Sequence, residues 1–198
     1  MARPVTCAVV GELGVTSALV CAESSALLTE QLLQADRVFI CGMGRSGFAM
    51  RGFAMRLSHM GIAAHFVGET TTPPIAASGD LLLVGSGSGR TPSLLSHAEK
   101  VQAMGGDSKV ALITTDSGSP LGGVAQATGG ATLVLPAPTP KAQAVVAVAG
   151  SGTVSSVQPM ASLFEQTMGL MCDALVLELM ERTGQGAEEM FGRHTNLE

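Results

Sequence analysis

The sequence predicts an α/β domain with a doubly wound, five-stranded parallel sheet flanked by helices. Three observations carry that expectation. Short apolar runs alternate with stretches of helical spacing, the signature of βα units. Two of those runs end in glycine-rich loops with hydroxyls that turn into helices, at residues 42–47 and 85–91. The length, 198 residues, suits one α/β domain with a large core, and nothing along the chain marks a second.

In chain order, a helical region in pieces, about 5–34, precedes a first strand at 37–42. Helical spacing from Ser46 to Met60 leads to a second strand at 63–67, and a third lies at 80–85. A helix then runs from Thr91 to Met104, with Pro92 suited to its first turn. The fourth strand, at 109–114, is followed by a short helix from Pro120 to Ala127 and a fifth strand at 131–135. From Pro136 to Ser156 the chain is rich in Pro, Ala, Gly and Ser, which reads as a long connection, mobile or acting as a lid. The last helix, Pro159 to Arg182, is apolar on nearly every face, as expected when one side packs on the sheet and the other on a neighbouring subunit. The whole reads as a single domain over 1–198, completed by the helix and tail at about 159–198.

Apolar residues make up 46% of the chain and charged residues 14%, too little charge to cover a monomer, so subunit burial is expected. A net charge of −5, no basic run and no Trp or Tyr exclude general nucleic-acid binding and point to a small anion as partner. The longest uncharged stretch, Ala142 to Phe164, contains Gly150, Gly152, Gln158 and Pro159 and makes a poor membrane span. The apolar patch after Arg3 and Pro4 is broken by Glu12 and does not read as a secretory signal. Cys7, Cys21, Cys41 and Cys172 lie in apolar contexts without metal-ligand spacing; they read as reduced core thiols of a cytoplasmic protein with no metal.

The loop Gly85-Ser86-Gly87-Ser88-Gly89-Arg90-Thr91 carries the chemistry. Glycines let backbone N–H groups close on an anion, three hydroxyls donate neutrally, and the following helix aims its positive end at the same spot. Gly42, Gly44 and Gly47 match the dinucleotide fingerprint, with Glu69 near the ribose-acid distance, but three hydroxyls suit a terminal phosphate monoester better than a pyrophosphate. Parallel sheets bind ligands at the carboxyl ends of their strands, so both loops and the segment 68–74 gather into one composite site. Glu165, in the early turns of the last helix, reads either as a carboxylate favouring the positive helix end or as a partly desolvated base. Glu69 is a rival acid or a sugar-hydroxyl acceptor. Arg45 and Arg90 either neutralise phosphate or point outward. His59, His65 and His97 sit in no motif and read as helix-surface or strand residues.

With the two loops, the segments Gly68-Glu69-Thr70-Thr71-Thr72-Pro73, Gln158-Pro159-Met160, Ser162-Leu163-Phe164-Glu165-Gln166 and Gly192-Arg193-His194-Thr195-Asn196-Leu197-Glu198 resemble the 6-phospho-3-hexuloisomerases of the sugar isomerase (SIS) superfamily, from about Val38 to the last residue. The resemblance implies a single SIS domain of flavodoxin/Rossmann-like fold. It implies cofactor-free interconversion of D-arabino-hex-3-ulose 6-phosphate and D-fructose 6-phosphate in the ribulose monophosphate pathway, after a 3-hexulose-6-phosphate synthase. It further implies a homotetramer with active sites at subunit contacts. Phosphate and sugar contacts then fall on Ser46 and on Ser86, Gly87, Ser88, Gly89, Arg90 and Thr91, and the reading of the first glycine loop adds Gly44 and Arg45 beside Ser46. The proton acceptor falls on Glu165, and His194 matches a position that reaches a neighbouring subunit's site. The chain departs from the family's pattern at 136–156. Another aldose-ketose phosphate isomerase, or a non-catalytic sugar-phosphate sensor, stays open.

Overall fold

A computed structural model of the chain describes residues 5–139, 147–148, 152–153 and 156–197. Strand residues alternate between two apolar clusters, and this alternation sets the layers. The strands β1 (Arg37–Gly42), β2 (Ala64–Phe66), β3 (Asp80–Gly85), β4 (Lys109–Thr114) and β5 (Thr132–Val134) pair in parallel in the order β2-β1-β3-β4-β5. Val38, Ile40, Leu81, Leu83, Ala111 and Ile113 turn to one face, and Phe39, Cys41, Leu82, Val84, Val110 and Leu112 to the other. Burial on both faces is why these strands read as continuous apolar runs.

The helices are α1 (Val5–Ala18), α2 (Ala22–Gln34), α3 (Gly44–His59), α4 (Pro92–Ala103), α5 (Pro120–Ala127), α6 (Ser162–Thr183) and α7 (Ala187–Phe191). Residues of α2, α3 and α6 fill the first face, and α4 and α5 cover the second. Thr91 takes the N-cap of α4 with Pro92 in the first turn, as the sequence predicts. The edge strands β2 and β5 are three residues each, shorter than expected, and short edges resist pairing with other chains.

Three expectations change. Helix α6 starts at Ser162 rather than Pro159, because Met160 takes a φ of 60° and the Ser162 hydroxyl donates to the Pro159 carbonyl at 2.8 Å, closing a turn. The short helix α7 shows no periodicity long enough to be read from sequence. Cys41 and Cys172 are buried, and desolvation pushes the Cys41 thiol up to about 12 and raises Cys172 as well. Cys7 and Cys21, however, are exposed: Cys21 sits at the N-cap of α2, where its Sγ donates to Glu23, so the core-thiol reading fails for these two.

Within the 136–156 connection, β6 (Ala147–Val148) and β7 (Gly152–Thr153) pair antiparallel. The lid expected there falls on residues that lie, for the most part, outside the described ones. Among the described residues no single helix is long and apolar enough to cross a membrane.

Candidate active site

The strand order reverses direction between β1 and β3. From β1 the chain crosses through α3 to β2, and from β3 it crosses through α4 to β4, with α3 and α4 on opposite faces. Such a switch point opens a crevice at the carboxyl ends of the two strands. Gly42 and Gly85 are register partners there, so the two glycine loops leave the sheet side by side. Gly47 keeps them close to the strand: a Cβ would lie 2.6 Å from the Gly42 carbonyl oxygen.

A cavity of about 360 Å³ fills the crevice. Its floor and one wall are Gly44 and Ser46 from the first loop and Ser86, Gly87, Ser88 and Thr91 from the second. The Ser86 and Thr91 hydroxyls lie 3.5 Å apart, and the Ser88 hydroxyl accepts from the Arg90 N–H at 3.3 Å. Residues from the start of α3 and from the turns leading into α4 and α6 line the same space, so three positive helix ends border one cavity. Among the described lining residues the charged one is Glu165, whose side chain is mostly buried. Arg45 Nε donates to Glu165 Oε2 at 2.5 Å, pairing two residues 120 positions apart.

The approach to α6 is held from the first helix. Glu12 of α1 accepts from the Ser156 hydroxyl and the Val157 N–H, each at 2.7 Å, and from Gln158 Nε2 at 3.0 Å. Desolvation opposes the charge on Glu12, but these bonds together outweigh it and lower its pKa.

The other expected site residues take different places. Gly89 lies behind the cradle against Ser119, and Arg90 pairs with Asp116 at 3.1 Å on the exposed side. Glu69 is exposed and ion-paired to Arg51, whose guanidinium lies over Phe66; it does not line the cavity. His194 packs near His59, ring centroids 5.2 Å apart, at the far end of α3 from Ser46. His59 lies thirteen positions beyond Ser46 along the helix, roughly 20 Å, so His194 stands far from the cavity. Here His59 is buried, not a surface residue, and desolvation, then His194 and Arg56, lower its pKa.

Thr139 and Phe164 are among the cavity-lining residues that sequence reasoning passed over, with Met43, Leu94, Met160 and Ala161. Thr139 follows β5 at the same sheet edge, a placement that was available as a signal but was submerged in the Pro/Ala-rich connection. Phe164 is fully buried, and its ring would lie 3.0 Å from a Cβ on Gly87, so it closes the cradle against α6.

The SIS domain family model matches residues 31–168. The 3-hexulose-6-phosphate isomerase of Bacillus subtilis (strain 168) is 41% identical over 96% of this chain and 95% of its own length. The enzyme of that name from Mycobacterium gastri is 42% identical over 94% of this chain and 86% of its own. Among solved structures, a Methanococcus jannaschii protein for which a molecular function of 3-hexulose-6-phosphate isomerase was inferred aligns with a TM-score of 0.76 at 31% identity, covering 96% of this chain and 97% of that one. A switch-point cavity with a hydroxyl cradle and a single carboxylate, in a chain this similar along its whole length, places the protein: it belongs to the SIS-domain family and, within it, to the 3-hexulose-6-phosphate isomerases.

Proposed function

We propose that this chain interconverts D-arabino-hex-3-ulose 6-phosphate and D-fructose 6-phosphate without a cofactor. The observation that carries the reading is Glu165 in the same cavity as the hydroxyl-glycine cradle. Moving a carbonyl from C3 to C2 begins with removal of the C2 proton. The C–H electrons form the C2–C3 double bond, and O3 takes the negative charge as a 2,3-enediolate. Loss of the O2 proton, its gain at O3 and return of a proton to C3 complete the exchange, so one carboxylate beside the sugar's middle serves both carbon steps. Glu165 is that carboxylate. Arg45, hydrogen-bonded to it, supplies positive charge for the enediolate oxygen, and the cradle with its three helix ends holds the phosphate so that remote binding places C2 and C3.

In the same proposal the chain works as one SIS unit in a cytoplasmic homotetramer, and His194 serves a neighbouring subunit's site. Support comes from the roughly 20 Å of α3 between Ser46 in the cavity and His59, on which His194 packs, and from the exposed Phe48, Met55, Leu170 and Leu177 on α3 and α6. A synthase joining formaldehyde to ribulose 5-phosphate supplies the substrate.

The test is coupled turnover. Ribulose 5-phosphate, formaldehyde and a hexulose phosphate synthase are supplied, and fructose 6-phosphate is followed with and without this protein, in the presence and absence of a chelator. Product that depends on the protein and survives chelation is expected. Folded protein that makes none would point to another sugar phosphate or to a sensor.

A further inference from the structure

We propose that Thr115, together with Thr114, is a positioning residue for the substrate phosphate, acting from outside the cavity through one peptide plane of the cradle. This deepens the sugar-phosphate reading of the site and rests on it. Both threonines lie at the end of β4 and are buried, with 0% and 3% of their surface exposed for Thr114 and Thr115. Neither lines the cavity. Three donors converge on the Gly87 carbonyl: the Thr115 hydroxyl at 2.8 Å, the Thr115 N–H at 3.0 Å and the Thr114 hydroxyl at 3.1 Å. A carbonyl oxygen has two lone pairs, so this one is saturated.

In a planar trans peptide the C=O of one residue and the N–H of the next point in opposite directions. Hooking the Gly87 carbonyl onto β4 therefore turns the Ser88 N–H away from β4, toward the cavity that Gly87 and Ser88 line. That N–H has no acceptor among the described residues. A backbone donor left open at a half-buried position calls for an acceptor, and a phosphate oxygen supplies one. The neighbouring planes are tied in the same manner: the Gly89 N–H donates to the Ser86 carbonyl at 3.2 Å, and the Leu121 N–H to the Gly89 carbonyl at 3.1 Å. Glycine accepts many backbone conformations, so a glycine-rich loop does not choose its own peptide orientation. The two threonine hydroxyls, with the Thr115 N–H, make that choice.

The experiment compares Thr115→Val, which removes the hydroxyl, with Thr115→Ser, which keeps it. Affinity for inorganic phosphate and for fructose 6-phosphate is measured by calorimetry, alongside KM, kcat and Tm. Thr115→Val is expected to weaken both ligands about tenfold, the equivalent of one hydrogen bond, with the loss falling on KM rather than kcat, and Thr115→Ser to stay within about twofold of wild type. A lower Tm with phosphate affinity unchanged would reduce Thr115 to a structural role and overturn the proposal. If Thr115→Val does not fold, Thr114→Val carries the same readout, because its hydroxyl reaches the same carbonyl, and wild-type phosphate affinity in that variant would overturn the proposal equally. Phosphate affinity does not depend on the identity of the sugar. Wild-type protein that binds phosphate but does not turn over the hexulose phosphate, with weakened binding in Thr115→Val, would keep this inference and discard the proposed substrate.

Discussion

In the cradle, residues 85–91, the turns are held by neighbours from the same chain: β4 hooks Gly87, α5 hooks Gly89, and Phe164 of α6 closes against the loop. The C-terminal tail is held as well, but elsewhere. Arg193 donates to the His59 carbonyl and to Gln185, each at 3.0 Å, and His194 stacks on Phe191 at the far end of α3. Both regions carry motifs of one family, yet a single chain assembles only the first into a site. The contrast teaches that a motif's specificity does not say where its chemistry is delivered. A loop that ends a strand delivers it at the sheet edge, whereas this tail, equally rich in motif, is held at the far end of α3.

The comparison breaks or sharpens most decisively with two variants used together. Glu165→Gln is expected to lower kcat by about 10²–10⁴-fold, the span of general-base catalysis, with fructose 6-phosphate affinity kept. His194→Ala should also lose activity, by a smaller factor. If the tail completes a neighbour's site, mixing and reassociating the two impaired variants raises turnover above the mean of the two alone, because hybrid oligomers contain sites with both groups intact. Near-full activity in Glu165→Gln alone removes it as the base; no recovery on mixing confines the tail to its own subunit.

A smaller effect probes the anchored half. Gly89 has a φ of +59°, and a Cβ there would collide with the Ser119 hydroxyl. Gly89→Ala should cost about 1–3 kcal/mol of stability and raise KM. Gly123→Ala on α5, where a Cβ meets nothing within 4 Å, should be neutral or slightly stabilising and leave KM alone. Thermal melts with steady-state kinetics on the pair check this, and equal KM values in the two variants would show that the cradle's shape does not matter for binding.

The smallest effect concerns the tail's anchor. His59 has its pKa lowered from the ordinary 6.5 by desolvation first, then by His194 and Arg56. With the folded value below the unfolded one, the unfolded chain binds the proton more readily. Stability therefore falls as pH drops through about 6.5 and levels off below the folded value. Between pH 7.5 and 5.5 the wild-type Tm should fall more than that of His59→Gln, by no more than about 4 °C. Parallel curves for the two proteins would free His59 from that role.

Much of the fold was legible because it is written locally. Apolar runs buried on both faces have to read as continuous strands, and Thr91 with Pro92 marks a helix start by its own backbone chemistry. The cradle was legible for the same reason, since glycine and hydroxyl spacing sets what a loop can do within seven residues. Less was legible where burial depends on how helices dock: Cys7 and Cys21 share the apolar context of Cys41 and Cys172 and yet face outward. Glu69, plausible by position, is drawn aside by Arg51.

By itself, the sequence determined the parallel sheet, the two glycine loops at its carboxyl edge and the family to which they belong, because each rests on short-range periodicity or on contiguous motifs. Only the tertiary structure decided that Arg45 meets Glu165, that Thr114 and Thr115 orient the Gly87 peptide, that Glu12 holds the approach to α6 and that His194 stands far from its own cavity. These are contacts between residues 27 to 146 positions apart, or a separation along a helix, and their geometry comes from sheet order and helix packing, which no local pattern encodes.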